Sequence, residues 1–123
     1  CVVIAAQQGH GKRAGVLSDY TFAIRDDDTG NLLTLGKAYS GLTDEEIEDL
    51  TVHFQRTTIG KPQRRVHEVE PTIILEIAFD RIARSKRHNS GLALRFPRIK
   101  AIRHDKTLDE IDTFSTALSL VKN

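Results

Sequence analysis

The chain has 123 residues and a formal net charge of +1, with 39% hydrophobic and 28% charged residues. This length fits one domain with a modest core. The composition excludes a disordered chain, and no apolar run approaches the roughly 20 residues of a transmembrane helix. The single cysteine excludes an internal disulfide and a cysteine-rich zinc site, and favours a reducing compartment. The sequence starts at Cys1 and contains no methionine, so we expect a longer parent chain.

Three strands are predicted in the first third of the chain. They share β-branched or alternating apolar residues and cover residues 1–6, 16–25 and 32–39. A turn with three glycines, residues 9–15, follows the first strand, and residues 26–31 form a hairpin turn. Alternation on the third strand places Leu33, Leu35 and Lys37 on one face.

A helix is predicted over residues 44–58. Thr43 and Glu46 have the capping-box spacing, in which each side chain bonds the other residue's backbone. Apolar residues then follow at helical spacing, namely Ile47, Leu50 and Phe54. The sequence Gly60-Lys61-Pro62 ends the helix.

The second half of the chain continues with predicted strands. They cover residues 64–69, 73–79, 82–84 and 91–96. A second capping box, Thr107 with Glu110, starts a closing amphipathic helix. Its apolar stripe consists of Ile111, Phe114, Leu118 and Val121.

The order of these elements predicts a mainly β fold. Five or more strands with one helix between strands three and four is the order of a barrel that binds oligonucleotides or oligosaccharides, the OB-fold. We therefore expect a single OB-fold domain over residues 1–123, with a C-terminal helix. A mixed α+β sheet is the alternative.

Charge is distributed unevenly along the chain. Residues 81–106 contain nine lysines or arginines and one acid, whereas residues 44–49 contain five acids and no base. Such a layout is typical of a protein that presents one face to a polyanion, although chance clustering on a solvated surface gives the same pattern.

Few residues have the spacing of a catalytic or metal site. The five histidines are scattered, so no metal site is expected. Lys12 and Arg13 lie in the glycine-rich turn and could clamp a backbone phosphate; an ordinary hairpin with solubilising charges is the alternative. That turn matches neither a Walker loop nor a dinucleotide fingerprint.

The segment of residues 95–106 combines cations with apolar residues. The cations recur every two or three positions, and they are Arg95, Arg98, Lys100, Arg103 and Lys106. The interleaved apolar residues can anchor the segment to the barrel, which holds the cations at fixed positions for phosphate binding. A pair such as Arg103 and Lys106, with Asp105 between them, could hold a polyphosphate. A basic exposed strand end is the alternative.

This segment resembles the last nucleotidyltransferase motif of ATP-dependent DNA ligases. The motif reads Arg-Phe-Pro-Arg at residues 95–98 and Arg-His-Asp-Lys at residues 103–106. Other parts resemble the same family in the same order, namely residues 6–13, 18–22, 37–47, 69–71, 76–79 and 90–94. The resemblance covers nearly the whole chain except the last helix, and bacterial stand-alone enzymes look most similar.

The resemblance implies a division of labour within a longer ligase. Family members transfer AMP from ATP to a lysine, then to the 5′-phosphate of a nick, and seal the nick. The adenylated lysine belongs to a Lys-x-Asp-Gly motif, which is absent here. We therefore expect this domain to be inactive alone and to bind no cofactor by itself, while ATP and Mg²⁺ serve the parent enzyme.

The resemblance also assigns roles to residues. Arg103, Asp105 and Lys106 are expected to orient the β and γ phosphates of ATP. DNA-binding roles fall on Lys12, Arg13, Lys37, Arg95 and Arg98. The expected partners are nicked double-stranded DNA and the nucleotidyltransferase domain of the same chain, with no membrane. We expect a cytoplasmic monomer that joins the nucleoid when on DNA.

Two alternatives from other classes remain. A stand-alone nucleic-acid-binding OB module would need exposed aromatic residues for base stacking, whereas most of the five Phe and two Tyr fall at strand positions that look buried. The OB domain of an RNA ligase or a capping guanylyltransferase is the other alternative. The Arg-Phe-Pro-Arg sequence at residues 95–98 favours a DNA ligase.

Overall fold

The computed structural model describes residues 1–8, 16–61 and 66–121 of the chain. Within these ranges the protein is mainly β, and its strands are β1 (Val2–Gln8), β2 (Leu17–Arg25), β3 (Leu32–Ala38), β4 (Val66–Glu68), β5 (Leu75–Ala78), β6 (Arg81–Arg84), β7 (Leu92–Arg95) and β8 (Arg98–Ile102). The helices of the same ranges are α1 (Asp44–Thr57) and α2 (Phe114–Ser119), with a 3₁₀ turn at Leu108–Glu110.

The strands form an OB-fold barrel, as predicted. An antiparallel sheet has the order β3-β2-β1-β4, and two further antiparallel pairs join β5 to β8 and β6 to β7. A bridge between Val2 and Ile74 connects the sheet to β5. At the other edge, Ile99 N donates to Ser40 O over 2.9 Å, which connects β8 to the end of β3. The helix α1 lies between β3 and β4 in sequence.

The core lies inside the barrel and under α1. The predicted helical stripe is confirmed, because Ile47, Leu50 and Phe54 are all buried. Phe54 is fully buried and its ring lies 5.7 Å from that of Tyr20 on β2. The Tyr20 hydroxyl donates to the carbonyl of Leu17 over 2.6 Å, so the core holds no unpaired phenol.

The ends of α1 follow the capping signals. The capping box is confirmed, with Glu46 N donating to Thr43 Oγ1 over 3.1 Å and Thr43 N donating to Glu46 Oε1 over 3.0 Å. The helix ends at Thr57, one residue before the predicted end. Thr58 is extended and forms a β-bridge with Val69, so its backbone is held by the barrel and not by the helix.

Gly41 allows β8 to approach the end of β3. Its φ is +108°, and a Cβ at this position would lie 1.8 Å from the carbonyl oxygen of Ile99. A side chain therefore cannot be accommodated without moving the backbone of β8. The absence of a side chain at this one residue permits the close approach of β8, and the bond from Ile99 N to Ser40 O connects the two segments.

A β-bulge in β3 places Leu35 and Lys37 on different faces of the strand, contrary to the prediction. Phe22 pairs with Gly36 but Ala23 pairs with Thr34, so Leu35 is an extra residue without a partner on β2. The side-chain alternation shifts by one position there. Leu35 is consequently buried while Lys37 is exposed, and the prediction that the two share a face is wrong.

The predicted closing helix is divided in two. The second capping box is present, but only a 3₁₀ turn follows Thr107. Arg25 N at the end of β2 donates to Asp112 O over 3.2 Å, and Arg25 forms a bridge with Thr113. The chain is therefore extended at residues 111–113, where β2 offers backbone partners, and α2 starts afresh with Thr113 as its N-cap.

Candidate functional site

Strand β8 forms the middle of the basic segment of residues 95–106, and the sequence did not reveal it as a separate strand. Ile99 is buried while Arg98 and Lys100 are exposed, so the strand has the alternation of a barrel wall. Its last residue, Ile102, pairs with Leu75 on β5. Arg103 N then donates to Ile74 O over 2.8 Å, which fixes the backbone where the segment leaves the barrel.

The Arg103 side chain is held by two carboxylates. Its Nε and Nη2 donate to the two oxygens of Asp105 over 3.0 and 2.9 Å, and its Nη1 donates to Glu76 Oε1 over 3.1 Å. Hydrogen bonding from Arg103 lowers the pKa of Asp105 from its ordinary 3.8 to about 2, and the same pair raises the pKa of Arg103. Both groups are therefore fully charged at neutral pH.

Lys106 has a weaker partner than Arg103. Its Nζ lies 3.6 Å from Glu110 Oε2, and its side chain is 38% exposed. Its backbone N donates to Arg103 O over 3.4 Å, so a turn links the two cations. The predicted grouping of Arg103, Asp105 and Lys106 is thus present as one local cluster. A guanidinium has five N–H donors, and Arg103 uses three of them here. Within the part of the chain that the structure describes, two donors of Arg103 have no partner, and these and the Lys106 ammonium can bind an anion.

A cavity of about 290 Å³ lies beside this cluster. Arg103, Lys106 and Glu110 line it together with apolar residues of the barrel and of the C-terminal segment, among them Leu75 and Ala117. The cations of the cluster therefore lie between solvent and a concave surface, which is a suitable position for holding part of a small anionic molecule.

Glu76 is a site residue that the sequence did not suggest. It lies 27 residues before Arg103 and looked like one of the alternating residues of a strand. The pairing of β5 with β8 places Glu76 opposite Ala101, two residues before Arg103, and so within reach of its guanidinium. No local pattern carries that information, because strand pairing brings the two residues together.

A second group of residues lies at the corner between β7 and β8. Arg95 is exposed, and its guanidinium carbon lies 5.4 Å from the centre of the Phe96 ring. Arg98 Nη1 donates to Asp80 Oδ1 over 3.2 Å and to Phe96 O over 3.0 Å. The structure thus brings Arg95 and Arg98 together around Phe96, away from the barrel interior.

Phe96 is exposed, so the prediction that the apolar residues of the segment 95–106 anchor it to the barrel is wrong at this position. Leu92 and Leu94 on β7 are buried, so strict alternation would also bury Phe96. Its φ of 55° is in the left-handed region, and the side chain is 65% exposed. A bulky residue in this backbone conformation is uncommon and frequently marks a binding surface.

Lys37 lies apart from both groups. Its Nζ is 3.3 Å from Gln7 Oε1 of β1, and the side chain is exposed. Burial lowers the pKa of His88, and the charges of Arg87 and Lys37 lower it further, so Lys37 belongs to the surface near the β6–β7 turn. Lys12 and Arg13, the other predicted DNA-binding residues, lie outside the described residues.

Residues 1–8, 16–61 and 66–121 lack two other kinds of feature. Within these ranges, no group of three or more histidine, cysteine, aspartate or glutamate side chains could hold a metal ion. Among the same residues, no helix has the length and apolar character needed to span a bilayer.

Comparison with known proteins gives consistent matches. Residues 13–106 match the family described as the ATP dependent DNA ligase C terminal region. A probable DNA ligase of Opitutus terrae is 58% identical over 120 residues, which are 97% of this chain and 12% of that protein. A probable DNA ligase of Koribacter versatilis is 52% identical over 122 residues, which are 99% of this chain and 21% of that protein. The chain thus spans a small part of these relatives.

Solved structures share the fold. The ligase domain of M. tuberculosis LigD has a TM-score of 0.69 at 19% identity, over 89% of this chain and 36% of that structure. A mycobacterial DNA ligase D complexed with ATP and MES has a TM-score of 0.63, also at 19% identity, over 89% of this chain and 35% of that structure. These similarities support the barrel fold independently of sequence identity.

Proposed function

The chain belongs to the ATP dependent DNA ligase C terminal region family, and from this premise we propose that it assists both ATP activation and DNA binding in a longer ligase. One cluster, Arg103 with Asp105 and Lys106, orients the β and γ phosphates of ATP while a lysine elsewhere in the ligase takes AMP. Exposed cations around Phe96 hold nicked duplex DNA during sealing.

The observation that carries the ATP role is the geometry of Arg103. Asp105 and Glu76 restrict the guanidinium to one orientation and leave two of its N–H donors unused. A cation that is already oriented stabilises charge that develops on a leaving pyrophosphate without first reorganising. Lys106 adds a compact second charge on the same turn. The two together suit the phosphates of ATP, which carry several negative charges.

This role requires another domain. The adenylated lysine of the family lies in a Lys-x-Asp-Gly motif, and no lysine of this sequence is followed by x-Asp-Gly. We propose that the nucleotidyltransferase domain of the same ligase supplies it and that this domain alone does not ligate. Mg²⁺ would accompany ATP in that enzyme. The described residues contain no carboxylate cluster for the ion, so its ligands would come from the other domain or from the phosphates.

The DNA role rests on exposed cations that surround an exposed aromatic ring. Arg95 lies over the Phe96 ring and Arg98 donates to the Phe96 carbonyl, and arginine forks bind phosphate oxygens in two-pronged contacts. An exposed phenylalanine among cations is typical of proteins that press an apolar side chain into a minor groove. We propose that Lys37, Lys12 and Arg13 contact other phosphates of the same duplex. We propose that the ligase acts as a monomer in the cytoplasm.

The ATP role is tested by separating the half-reactions of the full-length ligase. Arg103→Ala and Lys106→Ala should impair self-adenylation more than sealing of nicks that already carry AMP. Arg56→Ala, which removes an exposed cation from α1, is the matched control and should change neither rate. Equal loss in both half-reactions would reject the ATP role.

The DNA role is tested by binding to nicked duplex at several salt concentrations. Arg95→Ala, Arg98→Ala and the double variant Lys12→Ala/Arg13→Ala should each weaken binding and flatten its salt dependence, because each removes cations that displace counterions. Arg56→Ala is again the control. Binding that keeps its salt dependence in all three variants would place the DNA on another surface.

A further inference from the structure

The β6–β7 hairpin places two arginines directly opposite each other. Arg81 pairs with Arg95 in the antiparallel register, so both side chains leave the same face of the hairpin. Both residues are exposed, whereas their neighbours Ile82 and Leu94 are buried and fix the hairpin to the core. Like charges at directly opposed positions destabilise a sheet, which makes this pair costly for folding.

Among the described residues, no ion pair includes Arg81 or Arg95. Asp80, the residue before Arg81, is bound by Arg98 over 3.2 Å. Arg95 lies instead over the ring of Phe96, with its guanidinium carbon 5.4 Å from the ring centre. The two arginines therefore leave the same face of the hairpin at opposed positions, and one of them, Arg95, reaches the exposed ring.

We propose that Arg81 and Arg95 form a clamp for a single backbone phosphate of duplex DNA. An arginine fork binds phosphate oxygens in two-pronged contacts, and a phosphate between two forks removes the repulsion that separates them. The clamp rests on the proposed DNA-binding function and extends it from the β7–β8 corner onto β6. Arg81 thereby becomes a DNA-binding residue that neither its sequence context nor the family motif identifies.

The test compares folding stability and DNA binding of Arg81→Gln in the full-length ligase. Its urea midpoint should equal or exceed that of the wild type, because the repulsion with Arg95 is gone. Its affinity for nicked duplex should fall about tenfold, as expected for a charged hydrogen-bonded contact. The salt slope should decrease by about one. Arg56→Gln on α1 is the control for loss of one charge.

The double variant Arg81→Gln/Arg95→Gln tests whether one phosphate is shared. A shared phosphate predicts that the two losses in binding free energy do not add. Fully additive losses, or an Arg81→Gln variant with wild-type affinity and salt slope, would overturn the clamp. Failure of the broader DNA-binding proposal would look different, since the Arg95→Ala and Arg98→Ala variants would then bind nicked duplex as the wild-type ligase does.

Discussion

Arg103 and Asp105 form a two-pronged ion pair, with Nε 3.0 Å from Oδ1 and Nη2 2.9 Å from Oδ2. The pair lies where strand β8 ends, and the backbone of Arg103 is fixed by Ile74. The acid of the motif therefore restricts the direction of the guanidinium. In the proposed reaction, Asp105 is a positioning residue and Arg103 with Lys106 contacts the phosphates.

The ion pair should persist over the whole range of pH in which a ligase works. The pKa of Asp105 is lowered from 3.8 to about 2, chiefly by the hydrogen bonds from Arg103. A lowered pKa contributes stability that is present above 3.8 and is lost as pH falls through about 2. Carbon-13 titration of the aspartate carboxyls, assigned with Asp105→Asn, should give a midpoint near 2. A midpoint near 3.8 would mean that the pair does not form in solution.

Glu76 should support self-adenylation through Arg103. Glu76→Ala removes one of two partners of an exposed ion pair, so kcat/KM for self-adenylation should fall up to about fivefold. Sealing of pre-adenylated nicks should not change. Glu76→Gln keeps an acceptor oxygen for Nη1 and should recover most of the rate, and Glu68→Ala on β4 serves as the control. If Glu76→Gln adenylates itself as slowly as Glu76→Ala, or if the rate of sealing falls as much as the rate of self-adenylation, then Glu76 does not act by positioning Arg103.

Phe96 should contribute to DNA binding without contributing to its salt dependence. Phe96→Ala removes an apolar contact, so affinity for nicked duplex should fall about tenfold, which is in the range of aromatic contacts to bases. No counterion is involved, so the salt slope should stay at the wild-type value. Phe96→Leu should lose less affinity for nicked duplex than Phe96→Ala. A lower slope in Phe96→Ala would indicate that the ring acts only by holding Arg95.

Gly41 should be far more sensitive to substitution than Gly30. Both have positive φ, but a Cβ at Gly30 meets nothing within 4 Å, whereas at Gly41 it would lie 1.8 Å from Ile99 O. Gly30→Ala should lower the free energy of unfolding by about 1 kcal/mol through backbone strain alone. Gly41→Ala should cost clearly more, because β8 must move. Urea denaturation of both variants checks the difference, and equal losses would mean that β8 tolerates the shift.

The local signals in the sequence were sufficient for much of the fold. The capping box of Thr43 and Glu46, followed by Ile47, Leu50 and Phe54, determined the position of α1 to within one residue. The turn at residues 26–31 was also recognisable, because aspartate and glycine, here Asp26 and Gly30, are the residue types that turns favour. These features depend on residues that are close in sequence, so the amino-acid sequence alone is enough to predict them.

The features that the sequence did not reveal depend on pairing between distant segments. The bulge at Leu35 reverses the alternation of β3, and backbone pairing of Arg25 with residues 112–113 interrupts the closing helix. The contact of Glu76 with Arg103 and the opposition of Arg81 and Arg95 both follow from strand register. A one-residue change in register would separate each pair, and composition does not determine register at exposed positions.

The most direct measurement of the central claim uses the reverse of the first step. Pyrophosphate converts the adenylated ligase back to free ligase and ATP, and by microscopic reversibility it must use the same phosphate contacts. For the Arg103→Ala variant, the pyrophosphate concentration that gives half-maximal conversion of bound AMP to ATP should rise at least about tenfold. This change corresponds to the loss of one charged hydrogen bond. The rate at which the variant seals pre-adenylated nicks should stay at the wild-type value. An unchanged pyrophosphate dependence in Arg103→Ala would contradict the claim that this motif holds the β and γ phosphates.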